Sequence, residues 1–475
     1  MKNKCLSTSF LLIDSFFQSN PFHVKGLGFD GDAENNLSQE PDGIYLSNRV
    51  KLSKQYWDTL NSVLLPELRI SCNREYIIPS KKGVTKELPD FAQDISDAKI
   101  KIDRFQDEFY IEGAIYFFRF FLPINNDDWS SVIENKAYSN SKSWSFGLIE
   151  LTFENGTIDL YPAKNNNRQY IVIETSFPCT EAEMHSYVYS ILVALGVVTG
   201  TIHLDEVFII ASNQPYFDRE LLLAYSSLRN TSKSNYNIIA TNMWSVKDCL
   251  TKNNVNYAIA QIFDSSDSPK SEYEKLMTSK VFNKLVLLLY NNDCLTRAVQ
   301  IITDAANEPL DYQGALMSVA LETITGHFAP KDNPPIETAS WNKVSDAYEK
   351  MIQELLGGND IDNEIAKILR NKKNSLNRIS NQEKLKSPFT KHGYSISKNE
   401  LNAINSRNRF LHGNIMGDTI DESFHEIFYT CLVLSKLCYI LLLKEAGYSG
   451  YIVNSPVIYG CYKAIKAKEP AMVKI

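Results

Sequence analysis

Residues 146–161 read Phe146-Gly147-Leu148-Ile149-Glu150-Leu151-Thr152-Phe153-Glu154-Asn155-Gly156-Thr157-Ile158-Asp159-Leu160-Tyr161. Two apolar runs flank Asn155-Gly156, a dipeptide favoured in tight hairpin turns because both residues tolerate positive φ. The stretch is therefore expected to be a pair of antiparallel strands turning at Asn155-Gly156. The same character extends outward. Phe109 to Phe121 is crowded with aromatic residues and too irregular for a helical stripe, and Ile171-Val172-Ile173 reads as a further strand. Residues from about 40 to 175 are expected to be β-rich. The aromatic side chains read as a filled β core, or as a stacking platform for bases or another ligand.

The period then changes. Met184, Val188, Ile191, Leu192 and Leu195 fall on one face of a helix, and Phe208-Ile209-Ile210 follows as a short strand. A polar stretch, Asp264-Ser265-Ser266-Asp267-Ser268-Pro269-Lys270, marks the domain boundary, and Ser271 with Glu274 has capping-box spacing. Beyond it the pattern is helical at about 274–290, 294–306, 311–326, 342–356, 361–378, 397–412 and 421–446. The fold class read from this order is α+β. A β-rich N-terminal region occupies 1–265, divisible into about 1–178 and 179–265. An all-α bundle occupies 271–475.

Bulk properties narrow the function. A chain of 475 residues suits two or three domains, and 44% hydrophobic with 22% charged residues is a globular composition. The net charge of −7 argues against a protein that coats nucleic acid over its whole surface. Phe10-Leu11-Leu12-Ile13 stops at Asp14, too short for a signal peptide. Cys431 to Leu443 is interrupted by Lys436 and falls short of a membrane span. Eight cysteines without a C-x-x-C pair read as reduced thiols. His185, His203, His327, His392 and His425 have no ligand-like spacing, and the glycines at 196 and 200 lack the Lys-Ser/Thr of a phosphate loop. A cytoplasmic protein with no cofactor, no metal and no membrane association is expected.

The residues suited to chemistry lie late in the chain. Ser397 and Glu400 form a second capping box, opening a helix that carries Arg407-Asn408-Arg409-Phe410-Leu411-His412 and stops at Gly413-Asn414. An imidazole moves protons near neutral pH, and a guanidinium grips phosphate bidentately. With no carboxylate in the motif, Arg407 and His412 suit phosphodiester chemistry in which the ribose 2′-hydroxyl is the nucleophile. Five residues turn a helix by about 140°, so Asn408 and His412 share a face while Arg407 points elsewhere. Two copies meeting across a symmetric interface would reconcile the directions. Cationic residues at a helix C-terminus are also favoured by its dipole, which is the structural alternative.

Supporting features surround the motif. Lys367, Arg370, Lys372, Lys373, Arg378, Lys384, Lys386, Lys391 and Lys398 face only Glu383 between residues 365 and 399. This basic segment either guides RNA phosphates or is a solvated loop. Glu322 is either a surface residue or the hydrogen-bond partner of Arg407 on an apolar helix whose core face includes Leu316, Val319 and Ala320. Arg409 contacts RNA or caps its helix, and Tyr312 reads as a packing residue.

Arg407-Asn408-x-x-x-His412, late in a helical domain and followed by a long amphipathic helix, resembles the HEPN ribonuclease motif. Gly314-Ala315-Leu316-Met317-Ser318-Val319-Ala320-Leu321-Glu322-Thr323-Ile324 resembles an earlier helix of HEPN domains joined to β-rich regions in bacterial defence proteins. The whole order is similar to the ApeA-like anti-phage proteins. The resemblance covers roughly residues 273–460, with the motif spacing at the short end of the family's range. It implies a homodimer that apposes two motifs and cuts RNA without metal, leaving a 2′,3′-cyclic phosphate, with transfer RNA one substrate class. His412 would be the acid/base, Arg407 would stabilise the transition-state phosphate, and Asn408 would orient the histidine or the phosphate. The β-rich region would restrain the nuclease or sense a trigger such as a phage component. The alternative is a catalytically silent HEPN-like dimer that binds RNA or protein.

Overall fold

A computed structural model describes residues 2–18, 23–25, 35–40, 43–48, 68–71, 74–79, 84–86, 98–124, 131–140, 143–204, 206–226, 228, 235–242, 275–329, 334, 336–411 and 420–475. The fold is α+β, with a β-rich N-terminal half and a helical C-terminal half. Two compact units emerge, one formed by Met1–Asn307 with Ala446–Ile475, the other by Glu308–Glu445.

The first unit is built on an eleven-stranded sheet. Its ladders are all antiparallel. The opening stretch forms two of its strands, Ser143–Phe153 and Gly156–Asn165. Phe153 pairs with Gly156, so the turn residues are Glu154 and Asn155, one position earlier than the dipeptide rule places them. Gly156 has φ 147°, and a Cβ there would come within 2.7 Å of the Phe177 ring. That close approach, more than the turn itself, demands glycine.

The strand Phe117–Ile124 shows how the aromatic run is used. Successive side chains point to opposite faces. Phe121 packs 5.2 Å from Phe10 of the Ser7–Gln18 helix, whereas Phe120 meets His185 of the Glu181–Thr199 helix. The aromatic residues therefore fill core on both faces, and the helix at 7–18 is one that the sequence reading did not assign. Residues 108–116, expected as strand, form a connection instead.

One polar row crosses this sheet. Asp159 stands opposite Glu174, and Glu174 opposite Arg119, on neighbouring strands. Lys4 Nζ lies 2.6 Å from Asp159 and 2.9 Å from Glu174, while Arg119 Nε lies 2.7 Å from Glu174. The Tyr161 hydroxyl donates to the same carboxylate at 2.7 Å. Burial would raise the Glu174 carboxyl, but Arg119, Lys4 and Tyr161 hold it at about 2. Two adjacent carboxylates are tolerated in the interior because cations reach both.

The unit boundary differs from the sequence expectation at 265–271, and residues 264–274 lie outside the described residues. The reason is packing. The Ser279–Tyr290 helix carries Asn283, which accepts from the Thr152 N–H at 2.8 Å and donates to the Thr152 carbonyl at 3.3 Å. Tyr290 stacks on Tyr187 at 4.9 Å. At the other end, Tyr451–Val453 pairs with Met472–Lys474, and the Val453 N–H donates to Thr241. All these partners belong to the first unit.

The second unit contains six described helices. Leu310–Phe328 is its centre, against which Asn381–Lys391, Lys398–Leu411 and Ile420–Glu445 pack. Thr338–Gly357 and Asn363–Leu376 form a hairpin closed by Asn377, whose side chain hydrogen-bonds both the N–H and carbonyl of Ile336. The helix at 381–391, with Pro388 inside it, is absent from the helices expected from sequence; Ser380 caps it by accepting from the Glu383 N–H. Glu181–Thr199 and Phe424–Glu445 are long and apolar enough to cross a membrane, and most of each is buried within the protein. The second of them contains the 431–443 stretch and extends it at both ends.

Glu206 offers a measurable consequence of burial in the first unit. Its Oε2 accepts from Gln39 Nε2 at 3.4 Å, and burial outweighs the pull of Gln39, Tyr225, Lys101 and Arg168, raising its carboxyl to about 7. The folded state thus keeps its proton above the reference value of 4.5. Stability falls as pH rises from about 4.5 through 7, since the folded state holds the proton that the unfolded state has released. Glu206→Gln is expected to remove that slope, stabilising the protein at pH 8 by up to about 3 kcal/mol and little at pH 4. Urea unfolding at both pH values checks this; equal effects would contradict it.

Candidate active site

The helix that carries the motif begins as its capping box requires. The Glu400 N–H donates to Ser397 Oγ at 3.2 Å, and Glu400 Oε2 accepts from the Ser397 N–H at 2.8 Å. Glu400 does more than cap. Its other oxygen lies 2.8 Å from Lys436 Nζ and accepts from the Tyr394 hydroxyl at 2.7 Å. Burial works against this carboxylate, yet Lys436, the Ser397 N–H and Tyr394 hold its pKa below the ordinary value. Lys436, the charge that interrupts the apolar Cys431–Leu443 run, is buried to answer Glu400. A lysine inside such a run signals a buried partner even when the sequence cannot say which.

Ten residues after Glu400, Phe410 anchors the other end of the same helix. A Cβ on Gly314 would lie 2.5 Å from the Phe410 ring, so the missing side chain lets Phe410 rest against the backbone of Leu310–Phe328. Leu310 and Phe410 pack on Ile427 and Cys431 of the last long helix. The motif helix is thereby fixed at its start by an ion pair and near its end by an aromatic ring.

Between these anchors stands Arg407, whose side chain is only 9% exposed. Its Nε donates to Glu322 Oε1 at 2.9 Å, while the Glu322 side chain stays 44% exposed. Of the two sequence readings of Glu322, the hydrogen bond to Arg407 is present, and the carboxylate also reaches solvent. The core face of its helix is turned relative to the expectation. Met317, Ala320, Leu321 and Ile324 are buried, Val319 is 39% exposed, and Tyr312, expected to pack, is 65% exposed. Leu316 is half-buried.

Asn408 and Arg409 belong to the Lys398–Leu411 helix, but their side chains lie outside what the structure describes. His412 and Gly413-Asn414 lie outside the described residues altogether. The structure therefore brings Arg407 and Glu322 together and leaves the relation of Arg407 to His412 to experiment.

The basic segment is distributed over two helices, the turn between them and the first residue of the motif helix. Lys367, Lys372, Arg378, Lys384, Lys391 and Lys398 are exposed and Lys386 is half-buried. Arg370 Nε and Lys373 Nζ instead hold Glu349 of the neighbouring helix, at 2.8 and 3.1 Å. Gln382 Nε2 donates to Asn405 Oδ1 at 3.2 Å, tying the start of the Asn381–Lys391 helix to the motif helix two residues before Arg407. Neither this link nor the Gly314–Phe410 contact carries a local sequence signal. Among the described residues no cluster of His, Cys, Asp or Glu could hold a metal ion.

Two substitutions test the docking. Gly314→Ala in a helix interior would ordinarily gain about 1 kcal/mol. Here the methyl group meets the Phe410 ring, so a loss of about 1–3 kcal/mol is expected in thermal unfolding. Glu322→Ala should cost about 1 kcal/mol, the small figure reflecting the carboxylate's exposure. A stabilising Gly314→Ala would show that the two helices do not approach as described.

Known protein families, curated proteins and solved structures provide no match to this chain, so the reading of its site rests on the residues themselves and on the resemblance of their motif.

Proposed function

We propose that the chain is a metal-independent endoribonuclease of the HEPN type, acting in the cytoplasm in anti-phage defence as a homodimer with apposed motifs. The observation that supports this reading most is the setting of Arg407, a nearly buried guanidinium oriented through Nε by a carboxylate that itself reaches solvent. A guanidinium held through Nε can turn its two Nη nitrogens to a phosphate, the geometry of a bidentate grip. The exposed lysines of the two basic helices suit an RNA backbone, and transfer RNA is one class of substrate.

In the proposed reaction the 2′-oxygen of RNA attacks the adjacent phosphorus as the P–O5′ bond breaks. A 2′,3′-cyclic phosphate and a 5′-hydroxyl result. His412 of one copy accepts the 2′-hydroxyl proton, and His412 of the partner subunit delivers one to the leaving oxygen. Arg407 stabilises the charge that builds on the phosphoryl oxygens, and Asn408 orients the histidine or the phosphate. Glu322 is a positioning residue, acting only through Arg407. The N-terminal β-rich unit senses a trigger that raises this activity above its basal rate.

One observation favours a rival. A buried arginine paired to a glutamate is also how a structural helix contact is made, which suits a silent dimer that binds RNA or protein. Cleavage of total RNA by the full-length protein in EDTA separates the two. His412→Ala and Arg407→Ala are each expected to lower cleavage by about 100-fold or more while RNA retention persists. Glu322→Gln should lower turnover more than binding. Unchanged cleavage in all three variants would overturn the assignment, and restoration only by magnesium would point to carboxylates elsewhere.

A further inference from the structure

We propose that one end of the large sheet is a docking surface for a protein partner that combines lysine or arginine with large apolar side chains. The topology assembles the surface. Strands Arg104–Asp107, Leu222–Ser226, Val207–Ser212 and Phe117–Ile124 are consecutive neighbours in the sheet. Their registers, Gln106 opposite Ala224, Ala211 opposite Leu222 and Ser212 opposite Phe117, put Asp107, Leu222, Ser212 and Phe117 at the same end. The connection 108–116 runs between the two outer strands of the four. It must therefore pass over the hairpin whose turn is 213–221.

Both connections set a few inward side chains among mostly outward ones. Phe109, Ile111, Ile115 and Tyr216 are 71%, 65%, 64% and 76% exposed, whereas their chain neighbours Tyr110, Tyr116 and Phe217 are buried. The inward residues are anchored. Tyr110 donates to Glu181 at 2.6 Å and stacks on Tyr116, and the Arg119 guanidinium lies 4.3 Å from the Phe217 ring centre. Arg74 Nη1 joins the two connections at their base, donating to Asp107 Oδ2 at 3.1 Å and to the Leu221 carbonyl at 2.7 Å. The outward side chains are thus presented from a fixed backbone.

A single exposed apolar residue means little, but four large ones on adjoining, well-anchored connections make a patch that water disfavours. Preorganised aromatic side chains lose little entropy when a partner covers them, which is the property of interface anchors. The rim selects the partner. Glu108, Glu112, Asp218 and Glu220 are exposed on these connections against one exposed cation, Arg219, while Arg74 at their base is paired with Asp107. Such a rim repels phosphate-bearing RNA and anionic lipid, and it repels a second copy of itself. A basic protein surface with apolar side chains meets both features. This inference does not depend on the ribonuclease reading, and it supplies the chemistry that a trigger acting on the first unit would need.

The test uses the full-length protein and short synthetic peptides in which Lys/Arg content and Leu/Phe/Trp content vary independently. Wild type should retain peptides that carry both and release those with only one. Phe109→Ser with Tyr216→Ser should weaken retention about tenfold or more, without shifting thermal unfolding, because both side chains lie mostly in water. If that pair fails to fold, Ile111→Ser with Ile115→Ser serves instead. Glu112→Lys with Glu220→Lys should turn the preference towards acidic peptides. No peptide binding, or binding indifferent to these substitutions, would overturn the proposal. Preferential adsorption to phosphatidylglycerol vesicles, or dimerisation abolished by the Ser variants, would overturn it in favour of a lipid surface or a second copy.

Discussion

A guanidinium or ammonium group that leaves water must meet a carboxylate, and in the helical unit this requirement ties three helices into one arrangement. Arg407 finds Glu322 on the central helix, and Glu400 at the start of the same motif helix finds Lys436 on the last one. Breaking the fully buried Glu400–Lys436 pair would strand a charge, which is far more costly than exchanging the pair for well-packed apolar residues, whereas the half-exposed Glu322 makes the other pair a weaker tie. The register of the motif helix is consequently set by charge at two points, with the Gly314–Phe410 approach supplying the close packing between helices. The β-rich unit obeys the same rule, since Lys4 and Arg119 are the groups that make Glu174 and Asp159 tolerable inside the sheet.

That common rule explains why some of the molecule was legible in sequence. Hairpins and helices leave local marks, so the α+β order, the capping box at Ser397 and Glu400 and the amphipathic helices could be read from spacing alone. The exact turn at 154–155 could not, because the ring of Phe177, more than twenty residues away, decides what Gly156 must be. The helix at 381–391 was hidden by Pro388, and the helix at 7–18 by the absence of a clear polar face. The packing of residues 275–307 with the first unit is invisible in sequence for a related reason. A helical pattern shows that residues 279–305 form helices but not that Asn283 binds them to a sheet strand and Tyr290 to the Glu181–Thr199 helix.

The candidate site was partly legible for the same reasons. Arg407, Asn408 and His412 stand out as a spacing, and Glu322 as a carboxylate on an apolar helix that needs explanation. Gly314 beneath Phe410 and Gln382 beside Asn405 bring together chain segments far apart and carry no signal in any short window, while Lys436 signals only that it needs a buried partner and not that Glu400 is the one. The basic segment illustrates the limit from the other side. Nine cations look alike in sequence, yet Arg370 and Lys373 are committed to Glu349, leaving other members of the segment as the better candidates for phosphate.

The central claim is that phosphodiester cleavage at this motif uses the ribose 2′-oxygen and needs no metal. The chemistry of the cut ends reports on it most directly. RNA should be recovered after incubation with the full-length protein in EDTA, and its new termini identified by mass spectrometry. The account predicts 2′,3′-cyclic phosphates matched by 5′-hydroxyls, both missing when His412→Ala replaces wild type. Fragments ending in 3′-hydroxyls and 5′-phosphates would contradict it, because water and not the ribose would then have been the nucleophile.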